Sequence, residues 1–348
     1  MTSRRARTGR EMAISRRGML RITAVAGVSA AFGGPLVASV LREVGLSRVS
    51  ETRTRMGTIV TLTVVHPENA AAHDMIATAF SEMTRLEAIL SRHRADTPVG
   101  ILNASGRLER VPTELFTVLS QAQRMSIRTD GAFDITVAPL LGLYETSFHT
   151  RGAPPSSAQI ERARLLVDFR AVDVSGDRVV FADPRMSITL DGIAKGYIVD
   201  ETMSALLRAG AERVMVNAGG DISTNVPGHA DPWTVGIQDP HAEGGYTDFV
   251  RLSGNAIATS GDYMQRFTHD RTHHHIIDPR TGRSPTESAS VSVVERSAMA
   301  ADALSTAMLV LGTAEGLALL DRSPGPEVMF VSKTGQRIST PGFDCHVA

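Results

Sequence analysis

The chain has 348 residues, 42% of them hydrophobic, enough to bury a substantial core in one large domain or two. Its 36 basic and 37 acidic residues balance, so no global field steers it toward nucleic acid or anionic lipid. The single cysteine, Cys345, excludes an internal disulfide, a cysteine-held iron–sulfur cluster and a cysteine-rich zinc site.

Charge is uneven in the first segment, where Arg4, Arg5, Arg7, Arg10, Arg16, Arg17 and Arg21 face only Glu11. Ser15-Arg16-Arg17-Gly18-Met19-Leu20-Arg21 then leads into a mostly apolar run over 22–41. A basic region ahead of an apolar, Ala/Gly-rich stretch is the layout of an export signal, and the paired arginines resemble the twin-arginine type, which exports folded proteins. The expectation is a signal over 1–45, a mature domain over 46–348 and a periplasmic destination. An uncleaved anchor is the alternative, because 22–41 just spans a bilayer of about 30 Å. No cysteine follows the run, so a lipid-modified N-terminus is not expected.

In the mature chain, the β-branched stretch 58–65 predicts a strand, and apolar residues at helical spacing over 70–90 predict an amphipathic helix. Pro112-Thr113-Glu114 opens a second helix to about residue 127, with Thr113 as its cap and Thr129-Asp130-Gly131 as its stop. Residues 146–158, with Gly152, Pro154, Pro155 and paired serines, read as a surface loop. Short strands are expected at 172–174, 178–181 and 187–190, then a helix over 196–208 and a buried strand over 213–217. Further strands are expected at 233–238, 248–252, 256–259, 289–294 and 327–331, with a small-residue helix over 297–311. Strands and helices mix without strict βαβ alternation, so the fold class is α+β.

Four segments hold more glycine, carboxylate and histidine than a core needs. The first, 190–197, turns from a strand end into a helix; its glycines let backbone approach a ligand, and Lys195 adds a cation beside a helix N-terminus suited to pyrophosphate. The second is NAGGDI (217–222), which also reads as a tight turn with an Asx cap. The third is Thr259-Ser260-Gly261-Asp262-Tyr263 followed by 272–282. Its adjacent histidines point different ways on a strand; one pairs with Asp278 or faces phosphate, while His273 and His274 read as solvated surface. In the fourth, 297–307, Asp302 and Thr306 stand at i and i+4 on one helical face. A carboxylate and a hydroxyl so placed suit a hard cation such as Mg²⁺, and a lone carboxylate among apolar neighbours needs a partner.

These segments, in this order, resemble the ApbE family of FAD:protein FMN transferases. The resemblance runs from about Met56 to about Gly312 and rests on Met56-Gly57-Thr58, GAFDITV (131–137), IAKGY (193–197), NAGGDI, SGDY (260–263), HHIIDPRTG (274–282) and ADALSTA (301–307). It implies an α+β domain, a T-fold variant with a mixed or antiparallel sheet and flanking helices. It also implies FAD as substrate and Mg²⁺ bridging protein and pyrophosphate, with Asp302 and Thr306 as side-chain ligands and Ser305 and Gly192 giving backbone oxygens. Met56, His93, Ala132, Phe133, Asp134, Lys195 and Ile276 fall where the family contacts FAD. His93 departs from the aromatic residue often found there. Thr189 stands where many members carry a carboxylate, and Asp191, two residues on, is the candidate to take that role. The implied reaction moves FMN onto a Thr or Ser hydroxyl of a partner protein, such as a membrane electron-transfer subunit, and releases AMP, with His275 or Asp262 as base. Thr189-Leu190-Asp191-Gly192 and the paired arginines resemble an exported, NosX-like group within the family. An FAD carrier, an FAD pyrophosphatase and a purely structural domain are the rival readings; no nucleic-acid partner is expected.

Overall fold

The computed structural model describes residues 46–347 other than Pro227 and His229, so the expected export signal lies outside the described residues. The described residues open with β1 (Ser47–Arg55) and β2 (Thr58–His66), joined through Met56-Gly57, then α1 (Asn69–Leu90), α2 (Pro98–Ser105), β3 (Arg107–Glu109) and α3 (Thr113–Arg128). Two helices, α4 (Ala138–Arg151) and α5 (Ser157–Arg164), precede β4 (Val172–Ser175) and β5 (Arg178–Phe181). Next come α6 (Ala194–Arg208), β6 (Arg213–Ala218), β7 (Asp221–Asn225), β8 (Trp233–Gln238), β9 (Tyr246–Leu252) and β10 (Ala256–Gly261). The chain closes with β11 (Ser288–Glu295), α7 (Ala298–Arg322), β12 (Glu327–Ser332), β13 (Arg337–Ser339) and the short α8 (Pro341–Asp344).

Eight strands form one sheet in the order β1-β2-β6-β7-β10-β11-β12-β13, and every neighbouring pair is antiparallel. Strand alternation divides its side chains between two cores. Val60, Leu62 and Val64 of β2 and Val214, Val216 and Ala218 of β6 join the larger core with Ile76, Phe80, Met83 and Leu86 of α1. Met215, Ile222, Ile257 and Met329, on the opposite face, pack under Trp233, Val235, Val250 and Leu252 of the β8–β9 ribbon. The α+β expectation holds, as an antiparallel sheet with helices on one face and a β-ribbon on the other.

The packing of α6 against α7 sets the position of the site. A Cβ added to Gly196 would overlap the Ala298 carbonyl, so only glycine lets the two helices approach this closely. Asp200 of α6 fastens the start of α7: its carboxylate accepts from Ser297 Oγ (2.7 Å), Ala298 N–H (2.9 Å) and Met299 N–H (3.0 Å). An acceptor from another helix thus takes up donors that the first turn of α7 leaves free. The helix runs past its expected end, through non-helical backbone at Gly312, to Arg322.

Three local expectations are corrected. Residues 146–158 are not a loop: α4 runs to Arg151, held by buried Leu140, Leu141, Tyr144 and Ser147, and α5 opens on a capping box of Ser156 and Gln159. The prolines and serines mark only the joint between the two helices. Residues 187–190 pair with no strand; instead the Asn103 amide accepts from Ile188 N–H (2.8 Å) and donates to Ile188 C=O (2.9 Å), while Thr189 N–H donates to Ile135 C=O. Thr113 is the first residue of α3 and not its cap; Pro112 holds that position.

Gly196→Ala is expected to lower unfolding free energy by about 1–3 kcal/mol, the usual range for overpacking. Gly142→Ala is the control: it lies in α4 with open space at its Cβ position, and should be neutral or slightly stabilising. Urea unfolding of both variants checks the contrast.

Candidate active site

One end of the large sheet gathers the sequence-marked segments. The Met56-Gly57 turn between β1 and β2 lies beside the Gly219-Gly220 turn between β6 and β7, linked by Gly219 N–H to Ile59 C=O (3.0 Å). The start of α6 approaches the same turn, because Lys195 Nζ is 2.9 Å from Asp221 Oδ2. Asp302 Oδ2 accepts from Gly196 N–H at 3.0 Å, placing a carboxylate at the N-terminal turn of α6, where the helix dipole favours negative charge.

Two buried carboxylates, Asp221 and Asp302, lie near the partly exposed Lys195, which pairs with Asp221 and acts on Asp302 only at longer range. Burial, and then Asp221, hold the Asp302 pKa well above the carboxylate range, with Lys195 opposing. Burial also raises Asp221 against the pull of Lys195. Burial alone would lower Lys195, but Asp221 and Asp302 outweigh it and keep the amine protonated. The cluster is short of positive charge.

Beside it lies a set of neutral oxygens. Ser260 Oγ is 2.9 Å from Ser305 Oγ and 3.1 Å from Thr306 Oγ1, and Ser305 Oγ donates to the Asp302 carbonyl at 2.9 Å. Gly192 faces this group: a Cβ there would sit 3.0 Å from Thr306 Oγ1 and 3.4 Å from the Phe133 ring. Among the described residues no three His, Cys, Asp or Glu side chains converge as a metal-ligand group. The oxygens gathered here are one carboxylate with hydroxyls and carbonyls, a donor set that would suit a hard ion.

His275 stands on an irregular ribbon spanning 262–275. The Gln265 carbonyl accepts from both His275 N–H (2.9 Å) and Nδ1 (3.1 Å). A carbonyl only accepts, so Nδ1 carries the proton and Nε2 presents its lone pair. Burial lowers the His275 pKa, against the Gln265 carbonyl and the nearby Asp191, and the ring stays neutral. Asp262 is fully buried between two cations, Lys333 on Oδ2 and Arg271 at 3.4 Å from Oδ1.

The other two histidines are not the solvated pair expected from sequence. His274 is fully buried, its Nε2–H donating to Pro285 C=O at 3.0 Å, and His273 packs against Tyr144 and Phe148. Neither lies in a regular strand; His274 makes only an isolated bridge to Arg266. Asp278 bonds to Arg280 (3.0 Å) and to no histidine, because the turn at 278–282 brings that guanidinium back over the carboxylate.

The remaining sequence-marked residues lie in differing surroundings. Phe133 borders Gly192, and Ile276 is buried in the main core beside His275. Met56, with a left-handed φ of 51°, donates its N–H to Glu87 Oε1 (3.2 Å). His93 is exposed; its neighbour Arg92 reaches Asp191, Nε to Oδ2 at 2.8 Å. Asp191 is half-exposed, whereas Thr189 is buried and accepts from Asp191 N–H. Ala132 is buried, and Asp134 turns inward to accept from Thr136 N–H, Thr136 Oγ1 and Phe169 N–H. Four contributors were absent from the sequence-based site: Asp221, Ser260, Arg92 and Asp200. The first two lie inside flagged motifs, NAGGDI and SGDY, but whether they face the helices depends on strand parity in the sheet.

The architecture and this cradle define a ligand-binding α+β domain built around one carboxylate, three hydroxyls and a helix N-terminus. The chain belongs to the ApbE family, whose model matches residues 56–330. It is 32% identical over 251 residues to the FAD:protein FMN transferase of Vibrio cholerae, covering 70% of this chain and 75% of that one. With the FAD:protein FMN transferase of Salmonella typhimurium it shares 30% identity over 308 residues, covering 84% and 87%. The flavin transferase ApbE from Vibrio cholerae superposes with a TM-score of 0.76 at 27% identity, over 86% of this chain and 99% of that one. The ApbE protein from Thermotoga maritima superposes with a TM-score of 0.79 at 28% identity, over 87% and 100%.

The buried His274 predicts an acid sensitivity. Burial lowers its pKa from 6.5 to about 4. Above pH 6.5 the ring is neutral in both folded and unfolded chains; as pH falls toward 4, the unfolded chain takes up a proton that the folded one refuses. The stabilising contribution is therefore complete above 6.5 and declines below it, by up to about 3 kcal/mol. In urea unfolding at pH 7.5 and pH 5, the stability margin of wild type over His274→Gln should shrink at the lower pH.

Proposed function

We propose that this chain transfers FMN from FAD to a Thr or Ser hydroxyl of a partner protein and releases AMP, with Mg²⁺ in the Asp302 cradle. The observation that carries the reading is the cradle itself: a buried carboxylate held off its normal ionisation, three hydroxyls and Gly192, set against Lys195 at the start of α6. The residues fit the ion, because a cluster with two carboxylates and one ammonium gains from a further positive charge, and neutral oxygens supply the remaining ligands. Asp302 and Thr306 would hold it through side chains, Ser305 and Gly192 through backbone oxygens. Bound there, Mg²⁺ would offset pyrophosphate charge.

The chain's own groups account for the rest. Lys195 and the N-terminal turn of α6 attract the pyrophosphate, and half-buried Met56, packed against the core that contains Phe133 and Ile276, supplies apolar surface for the nucleotide. The acceptor hydroxyl gives its proton to His275 Nε2 as its oxygen bonds to the FMN phosphorus; the P–O bond to AMP breaks and AMP leaves. A neutral imidazole with Nδ1 already committed to Gln265 is prepared for that role. Asp262, clasped by two cations, is the weaker candidate for base and serves as an anchor. The acceptor is a flavoprotein subunit such as a membrane electron-transfer component, and the basic N-terminal segment supports twin-arginine export to the periplasm, as in the NosX-like group.

The deciding assay incubates the protein, lacking residues 1–41, with FAD, Mg²⁺ and an acceptor subunit, and follows in-gel flavin fluorescence together with released AMP. Covalent fluorescence lost with EDTA and with Asp302→Ala is the expected result; undiminished transfer in that variant removes the metal assignment. AMP with free FMN and no labelled acceptor would mark a hydrolase, and intact bound FAD a carrier. His275→Ala should slow transfer by roughly 10²–10⁴-fold, the usual contribution of a positioned base, measured as the single-turnover rate at saturating FAD.

A further inference from the structure

We propose that Lys333 is a positioning residue for the transfer reaction, acting through His275. The inference rests on the reading of His275 as the base, and it concerns a residue beyond the span matched to the family model. Lys333 lies in the turn between β12 and β13, far along the chain from every motif that marks the site.

Its ammonium joins both arms of the ribbon that carries His275. Nζ pairs with Asp262 Oδ2, at the first residue of the ribbon, and donates to Arg271 C=O (3.3 Å), just beyond its tip. Asp262 is itself fixed to the sheet through its N–H to Ala289 C=O (3.0 Å). Arg271 has a left-handed φ of 61°, strained for a residue with a side chain, and reaches Pro240 C=O (2.7 Å) and Asp262 Oδ1 (3.4 Å). Between these anchors the ribbon is held by Phe267 N–H to His273 C=O (2.8 Å) and His275 N–H to Gln265 C=O (2.9 Å).

Gln265 is the link to chemistry. Its carbonyl orients the imidazole and sets which nitrogen bears the proton, and it sits three residues from Asp262. Lys333 is anchored independently of the ribbon, by its N–H to Glu287 C=O (3.1 Å). Removing the ammonium leaves a fully buried carboxylate with only the longer Arg271 contact. A buried charge that loses its partner reorganises its surroundings to reach water. The segment free to move is the one bearing Gln265, so the expected defect lies in the orientation of His275 and not in FAD binding.

The test compares Lys333→Met with wild type, alone and in a His275→Ala background, using single-turnover flavin transfer at varied FAD, with thermal melts alongside. Wild type must first show covalent transfer; without it the functional reading fails before this one is reached. If His275→Ala transfers at the wild-type rate, the base assignment fails, and with it any role exerted through it. The expected result is a 10–100-fold lower maximal rate for Lys333→Met, with less than about threefold change in the FAD concentration for half-maximal rate, because misplacement of about 1 Å can cost 10²-fold. In the His275→Ala background the same change should cost nothing further, and Lys333→Arg should recover most of the rate. Lys333→Gln replaces Lys333→Met if the latter does not fold. An equal loss in both backgrounds, a parallel loss of FAD affinity, or a rate within twofold of wild type overturns the proposal.

Discussion

The site depends on a contact between two helices at a point where one of them has no side chain. At Gly196 the backbone of α6 lies against the Ala298 carbonyl, and this lets Asp302 of α7 reach the Gly196 N–H across a sequence separation of 106 residues. Asp200 fixes the register from the other direction by taking the first donors of α7. Positions along both helices are then determined: Lys195 and the Gly192 turn fall to one side of the contact, and Ser305 and Thr306 lie one turn further along α7. Ser260 of β10 completes the group, because the strand period turns it toward the helices.

That geometry forces charges together in a dry place. Two carboxylates and one ammonium cannot all keep their solution behaviour when water is removed, and the direction of each shift shows it: both acids are pushed toward the protonated form, while the amine is held charged. Such a cluster is costly as an isolated structural element. Hydroxyls supply the neighbouring oxygens, and they add ligands without adding repulsion. Burial likewise keeps His275 neutral, against the pull of the Gln265 carbonyl that orients it and of Asp191.

Much of this was legible in the sequence, and the limits have physical causes. The i, i+4 relation of Asp302 and Thr306 needs only the helical period, and the β-branched strands 58–65, 213–217 and 289–294 appear within a residue or two. The β7 strand was hidden because Asp221 and Ser223 face the helices while Thr224 is buried by its bonds to Asn255; a polar strand that is buried leaves no alternating apolar pattern. Residues 146–158 misled because turn residues that occupy only a short joint made the adjoining helix ends look irregular. His274 looked like surface because a histidine beside two others carries no sign of which ring points inward. Lys333 left no trace, since its partners Asp262 and Arg271 are distant in sequence and meet it only through the β12–β13 turn.

The connectivity of the sheet also sets an order of assembly. Leu62 pairs with Val216, the Gly192 turn waits for Thr306, and the ribbon waits for the turn between the last two strands of the sheet. Pairings so distant along the chain form late and slowly. The cradle and the clasped ribbon are therefore completed only when segments more than 70 residues apart have met: residue 192 with 306, and 262 with 333.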